Sequence, residues 1–85
     1  MDARRYRIEY GSVAQRALDF LPDRIRKQIL RKIERLETGL HGDIKRLHRA
    51  DAAYRLRIGD YRILFDVAAD VIVIRRIGGR KTIYD

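Results

Sequence analysis

Residues 54–65 of this 85-residue chain read YRLRIGDYRILF, an alternation of apolar and mostly basic positions that is interrupted once. Alternation with a period of two predicts a strand with one buried face. The interruption is Gly59-Asp60, and such a step between two alternating runs predicts a tight hairpin turn. We therefore predict two antiparallel strands, 54–58 and 61–67.

Two further strands are predicted towards the ends of the chain. Residues 5–10 alternate apolar with charged side chains, and Gly11 ends that run. Residues 71–77 begin with VIVI, which is apolar on both faces and therefore predicts the central strand of a sheet. The stretch 41–53, before the hairpin, is polar and irregular and predicts a loop.

The spacing of apolar residues predicts two helices between the first strand and the hairpin. Ser12 and Gln15 have the form of a capping box at the start of the first helix. Pro22 ends the first helix and suits the first turn of the second, for which Gly39 is the predicted C-terminal cap. The second helix has opposed apolar and basic faces, formed by Ile25, Ile29, Ile33, Leu36 and Leu40 and by Arg24, Lys27, Arg31 and Arg35.

The order β-α-α-β-β-β predicts an α+β fold. In such a fold, a twisted and mostly antiparallel sheet carries the two-helix hairpin on one face. The length of 85 residues suits one small core, and we predict a single domain over residues 1–85. A hydrophobic content of 46% fits a globular protein and excludes a wholly disordered chain.

Charge and cysteine content narrow the possible functions. The chain has 20 Lys and Arg against 12 Asp and Glu, a net charge of +8. This imbalance favours a polyanionic partner, which could be nucleic acid, an acidic membrane surface or an acidic protein. The absence of cysteine excludes a thiolate nucleophile and a thiolate zinc site, and two histidines are a poor metal set. We therefore predict neither a metal nor a cofactor.

The sequence offers no sign of a membrane or secretory segment. Its first residues, MDARR, lead into the first alternating run and not into the apolar core of a signal peptide. No stretch approaches the ~20 apolar residues that a membrane span requires. We expect a cytoplasmic protein with no membrane partner.

The predicted hairpin brings arginines together. A two-residue turn places Arg57 directly opposite Arg62, with Arg55 one pleat further along the same face. Like charges directly opposite each other destabilise a sheet. A phosphate between the two guanidinium groups would relieve the repulsion. This face is therefore either an anion-binding site or an ordinary solvated strand face.

The C-terminal residues extend the same pattern. Gly78-Gly79 lets the backbone turn, and Arg80, Lys81 and Tyr84 follow. If this segment folds back beside the sheet, its two cations and its aromatic hydroxyl join the strand arginines. Basic groups interleaved with tyrosines are typical of proteins that bind single-stranded nucleic acid.

The segment YRLRIGDYR, the valine–isoleucine strand after it and the short Gly-x-Arg…Tyr ending together resemble the RelE/ParE superfamily of bacterial and archaeal toxins, in particular its RelE branch. The resemblance covers nearly the whole chain in length and element order. It implies a RelE-like fold and a toxin of a type II toxin–antitoxin system. It further implies a ribosome-dependent endoribonuclease that cleaves mRNA in the decoding site and so inhibits translation.

The resemblance also implies a reaction and its site residues. The implied catalytic residues are Arg57, Arg62, Arg80 and Tyr84, and the implied RNA-binding residues are Arg55 and Lys81. The implied reaction is attack by a ribose 2′-OH on its own 3′-phosphate. This attack needs a proton acceptor, a proton donor and positive charge around the phosphorane.

The sequence leaves the proton acceptor open. The best-known family member has lysines where this chain has Arg55 and Arg57. Arginine stays protonated at physiological pH and is therefore a poor general base. Tyr84, Lys81, His48 or the ribosomal RNA could take the proton instead.

Two other functions fit the same sequence. One is ParE-like inhibition of DNA gyrase without nuclease activity, and the other is non-catalytic binding to RNA or the ribosome.

As a toxin, the chain would have a cognate antitoxin as partner, besides ribosome and mRNA. This antitoxin would be an acidic and partly disordered protein that forms a hetero-oligomer with the toxin. The basic face of the second helix is either solvated or a contact for ribosomal RNA.

Overall fold

The computed structural model describes residues 5–49 and 51–83. Five strands form one sheet: β1 (Arg7–Tyr10), β2 (Asp43–Arg46), β3 (Tyr54–Ile58), β4 (Tyr61–Ala68) and β5 (Val71–Gly79). The chain between β1 and β2 forms two helices and a 3₁₀ turn: α1 (Ser12–Asp19), α2 (Asp23–Glu34) and Arg35–Thr38.

The strands are ordered β1-β5-β4-β3-β2 across the sheet. β1 pairs with β5 in parallel, and the other three neighbouring pairs are antiparallel. The prediction of an α+β fold with a mostly antiparallel sheet and two helices is therefore confirmed. No helix among the described residues is long and apolar enough to cross a bilayer.

Both helices bury a narrow apolar stripe against the sheet. Ala14 and Leu18 of α1 and Ile29 and Ile33 of α2 are buried in one cluster with strand side chains such as Phe65. Residues four positions apart lie on the same side of a helix, so each pair faces the sheet. Burying each larger apolar side chain stabilises the fold by about 1.5–3 kcal/mol.

The helix ends differ from the sequence prediction. Ser12 is the first residue of α1 and no capping box forms, because Gln15 donates to Asp19 at 3.0 Å instead. α2 gives way to the 3₁₀ turn, which has three residues per turn and rotates later positions away from the apolar face. Leu40 is consequently 40% exposed. Gly39 does end the helical segment, with a φ of 148°.

The prediction of a loop before the hairpin is wrong in its first half, where β2 lies. β2 pairs with β3 so that Asp43 stands opposite Arg57 and Lys45 opposite Arg55. The predicted order β-α-α-β-β-β therefore lacks one strand. β2 has four residues, of which Ile44 alone is partly buried, and this is too little alternation to mark a strand.

β5 is an inner strand, but it is not the central one. β1 covers one of its edges along Val71–Ile74, and β4 covers the other. The middle of the five strands is β4, whose residues Arg62–Phe65 are all buried. β5 also runs to Gly79, two residues beyond the predicted end.

Candidate functional site

The face of the sheet turned away from the helices is here called the open face. The strand register brings its side chains into rows across the sheet. One row contains Asp43, Arg57, Arg62 and Gly78, and the next contains Lys45, Arg55, Leu64 and Arg76. Directly opposed side chains on neighbouring strands are about 4.5–5.5 Å apart at Cβ, so the charges within a row act on one another.

The hairpin between β3 and β4 fixes these rows. Its turn is Gly59-Asp60, the two residues that the sequence predicted. Gly59 has a φ of 58°, the positive value that a type II′ turn requires at its first central residue. Arg57 therefore stands opposite Arg62, as predicted.

Arg62 is the one buried charged side chain among the described residues, at 7% exposure. One of its guanidinium nitrogens donates to the carbonyl oxygens of Gly59 and Tyr61, at 2.9 and 3.1 Å. These carbonyl dipoles stabilise the positive charge without an added anion. The charge of Arg62 is thus stabilised within the protein, without the phosphate that the sequence pattern suggests.

Arg55 is held by a carboxylate from the strand that the sequence missed. Its guanidinium donates to Asp43 at 3.2 Å, and its side chain is 16% exposed. The Nε atom of Arg55 is buried and has no hydrogen-bond partner in the part of the chain that the structure describes. Arg55 is therefore oriented by its ion pair and only partly neutralised.

Arg57, Arg80 and Lys81 are exposed cations. No carboxylate of residues 5–49 or 51–83 forms an ion pair with any of them. The backbone N–H of Arg80 donates to the carbonyl of Asp60 at 2.9 Å, which places Arg80 and Lys81 beside the hairpin turn. Tyr84 lies outside the described residues.

The C-terminal segment folds back over the open face, at least as far as Ile83. Ile83 is 2% exposed and forms a small second core with Leu64 and Ala52. Its backbone N–H donates to the carbonyl of Gly79 at 3.0 Å. A Cβ atom on Gly78 would lie 3.3 Å from the Ile83 side chain, so the small residue permits this close approach.

At the opposite end of the open face, the arginines are paired with aspartates. Asp66 binds Arg75 at 3.0 Å, and Asp51 lies 2.9 Å from Arg49 and 3.8 Å from Arg76. The hydrogen bond from Arg49 lowers the pKa of Asp51 below its ordinary value. In the described part of the open face, the exposed cations without an ion pair are therefore Arg57, Arg80 and Lys81 at the hairpin end and Lys45 one row further along.

The basic face of α2 borders the same end. Arg24, Lys27 and Arg31 line a groove with residues 58–61 of the hairpin. Asp60 is the one acidic residue that lines this groove. The structure thus brings the helix cations next to the hairpin cations, a proximity that the helical spacing alone could not show.

Metal-ligating side chains do not cluster in residues 5–49 and 51–83, where no three His, Cys, Asp or Glu come together. His48 is exposed and lies between β2 and β3, outside the two rows described above. Asp43 is a candidate site residue that the sequence does not indicate, because the polar stretch 41–53 predicts a loop where β2 lies.

This chain is similar to known proteins over almost its whole length. A family model of the ParE toxin of type II toxin–antitoxin systems, parDE, matches residues 4–84. Toxin RelE3 of Methanocaldococcus jannaschii is 34% identical over 84 residues, which make up 93% of this chain and 96% of that protein.

This chain is also similar to solved structures over most of its length. A chain of the RelB–RelE antitoxin–toxin complex from Methanococcus jannaschii is 34% identical, with a TM-score of 0.74, over 91% of this chain and 95% of that one. A chain of the toxin–antitoxin complex RelBE2 from Mycobacterium tuberculosis is 25% identical, with a TM-score of 0.79, over 93% and 95%.

Proposed function

The chain belongs to the RelE/ParE family of toxins from type II toxin–antitoxin systems, and on this premise we propose that it is a ribosome-dependent endoribonuclease. It cleaves mRNA in the decoding site of the ribosome and so inhibits translation. A ribosomal target places its action in the cytoplasm.

The uneven distribution of charge on the open face carries this proposal. At the hairpin end, Arg57, Arg80 and Lys81 are exposed and pair with no described carboxylate. At the other end, Arg75 and Arg76 are paired with aspartates. Guanidinium groups left without an internal partner suit the phosphodiester backbone of RNA, which they bind with paired hydrogen bonds.

The proposed reaction is attack by a ribose 2′-OH on the adjacent 3′-phosphate. Arg57 and Arg80 bind this phosphate and stabilise the charge that builds up on the phosphorane. Arg62 has an indirect role, because its hydrogen bonds hold the hairpin turn in place. Arg55 and Lys81 bind neighbouring phosphates.

Tyr84 is proposed to act directly in the reaction, together with Arg57 and Arg80. It follows directly on Ile83, whose burial against Leu64 anchors the C-terminal segment on the open face. From such a position its ring would stack on a base or its hydroxyl would orient the 2′-OH.

The proposed partner in the inactive state is a cognate antitoxin. The relatives of known structure described above are in complexes of toxin and antitoxin. A net charge of +8 favours an acidic, partly disordered antitoxin segment that folds onto the basic end of the sheet.

Primer extension on mRNA from cells that express the chain tests this function. We expect new 5′ ends inside translated regions, and we expect them to vanish from a message whose start codon has been removed. Arg57→Ala should abolish these ends. Arg7→Ala, which removes an exposed arginine from β1 at the far edge of the sheet, is the matched control and should leave them unchanged.

The same cells distinguish the second toxin activity. ParE-like inhibition of gyrase would leave the message intact and trap gyrase on broken DNA. That result would overturn the proposed nuclease function while leaving the family assignment in place.

A further inference from the structure

Asp43 shares a row of the open face with the proposed phosphate-binding arginines. It stands opposite Arg57, and Arg57 stands opposite Arg62. β2 brings it there, although the sequence separates Asp43 from the hairpin by the whole stretch up to Tyr54. The row therefore joins a carboxylate to guanidinium groups where the scissile phosphate is expected.

The Asp43 carboxylate is oriented and accessible. Its Oδ1 accepts a hydrogen bond from Arg55 at 3.2 Å, while its side chain remains 60% exposed. Its Oδ2 accepts no hydrogen bond from residues 5–49 or 51–83. One oxygen thus fixes the group, and the other is available to a ligand.

Other carboxylates near the open face are occupied. Asp66 accepts from the backbone N–H of Ala53 at 2.7 Å with one oxygen and from Arg75 at 3.0 Å with the other. Asp51 accepts from Arg49 with both oxygens, at 2.9 and 3.0 Å. These two aspartates are engaged by arginines at the opposite end of the open face and lie outside the row of Arg57.

We propose that Asp43 is the general base of the cleavage reaction, an inference that rests on the proposed nuclease function. The 2′-OH gives its proton to Oδ2 of Asp43 as the 2′-oxygen forms a bond to phosphorus. The bond between phosphorus and the 5′-oxygen then breaks, and the 5′-oxygen takes a proton from solvent water. The products are a 2′,3′-cyclic phosphate and a 5′-hydroxyl.

Asp43 supplies the proton acceptor that the arginines of the site cannot provide. A guanidinium group cannot accept a proton at physiological pH, whereas a carboxylate can. Arg55 keeps the carboxylate in place while this occurs.

Other charged groups surround Asp43 and bear on any dependence on pH. They are Arg55 and Arg57 of β3, Lys45 of β2 and, across an adjoining pocket, Lys32, Arg35 and His41. Among them, His41 is the one imidazole and therefore the alternative proton acceptor. The test therefore includes a His41 variant.

Single-turnover cleavage of mRNA on programmed ribosomes tests the role of Asp43. Asp43→Asn should lower the rate by roughly 10²–10⁴-fold, the usual effect of removing a general base. Ribosome affinity should stay within about threefold of the parent value, because many cations determine binding. Asp43→Glu should retain part of the rate. Asp70→Asn, which makes the same change of charge at the β4–β5 turn, should cleave like the parent chain.

The pH profile separates a base from a residue that only orients Arg55. The parent rate should fall at low pH as a single group takes up a proton. This fall should be absent from the residual activity of Asp43→Asn and present in Arg55→Gln, which breaks the same ion pair from the other side, and in His41→Gln.

Parental cleavage by Asp43→Asn, or a low-pH fall that persists in that variant, would overturn the assignment of Asp43. Equal losses in Asp43→Asn and Arg55→Gln with unchanged pH profiles would overturn it as well. A parent chain that binds programmed ribosomes without cleaving mRNA would instead overturn the proposed function itself.

Discussion

Arg57 and Arg62 stand opposite each other, yet they differ in exposure and in hydrogen bonding. Arg62 is buried and donates to two carbonyl groups of the hairpin, whereas Arg57 is exposed and pairs with no described carboxylate. Removing Arg62 takes away both hydrogen bonds and a buried side chain, which has a cost in stability. Removing Arg57 takes away only an exposed charge.

We predict that Arg62→Ala lowers the free energy of unfolding by about 1–3 kcal/mol, while Arg57→Ala changes it by less than about 0.5 kcal/mol. Urea denaturation of the two variants measures both values. Both variants should lose cleavage activity, Arg57→Ala through the phosphate and Arg62→Ala through the hairpin. Equal stability of the two variants would contradict the structural role of Arg62.

Tyr84 is predicted to act through its ring, because Asp43 takes the proton in our account. Tyr84→Phe should keep the single-turnover rate within about tenfold of the parent rate. Tyr84→Ala should weaken mRNA binding, since stacking on one base is worth roughly 1–3 kcal/mol. If Tyr84→Phe were as impaired as Tyr84→Ala, the hydroxyl would be needed for proton transfer and the role of Asp43 would be in doubt.

Within residues 5–49 and 51–83, the turn between β4 and β5 contains the one non-glycine residue with a positive φ. Ala69 has a φ of 55°, a left-handed conformation that costs an L-residue about 1–2 kcal/mol. Glycine adopts it freely but gains about 0.4–1 kcal/mol of entropy in the unfolded chain. Ala69→Gly should therefore raise the free energy of unfolding by about 0.5–1 kcal/mol.

Ala68→Gly is the control for this turn, because Ala68 lies in the extended last position of β4. It should lower the free energy of unfolding by about 0.5–1 kcal/mol in the same urea titration. A loss of stability in Ala69→Gly as well would show that the left-handed conformation is not strained.

The elements that carry strong alternation could be predicted from the sequence. The β3–β4 hairpin, its two-residue turn and the opposition of Arg57 and Arg62 follow from the period of two and from Gly59-Asp60. β2 could not be predicted, because only Ile44 in it is partly buried and its pairing with β3 is a long-range contact. Asp43 was missed for the same reason.

The arrangement of the candidate site residues could likewise be predicted only in part. The sequence indicated which cations lie on the open face, since alternation gives the direction of a strand side chain. It could not show that Arg62 is buried against the turn or that Arg55 is paired with Asp43. Those features depend on side-chain contacts between residues that neither period nor spacing relates.

The molecule as a whole has a net charge of +8, and the exposed unpaired cations of its site lie at the hairpin end of the sheet. Such an asymmetric charge attracts an acidic partner to one end and speeds its association. Screening by salt shortens the range of this attraction, with a Debye length of about 10 Å at 0.1 M.

We predict that association with the cognate antitoxin slows markedly as salt concentration rises, while dissociation changes little. Stopped-flow mixing at several salt concentrations measures both rates. Arg80→Ala should weaken the salt dependence, and the control Arg7→Ala, at the far edge of the sheet, should weaken it less. An association rate that is independent of salt would contradict electrostatic capture.

Cleavage of a defined mRNA by the purified chain, with and without ribosomes, tests the proposed ribosome-dependent nuclease activity. We predict cleavage only when the message is threaded through a programmed ribosome, at the codon in the decoding site, with a 2′,3′-cyclic phosphate on the upstream fragment. Arg57→Ala should leave the message intact under the same conditions. An intact message with the parent chain on programmed ribosomes, or equal cleavage of free mRNA, would contradict the account.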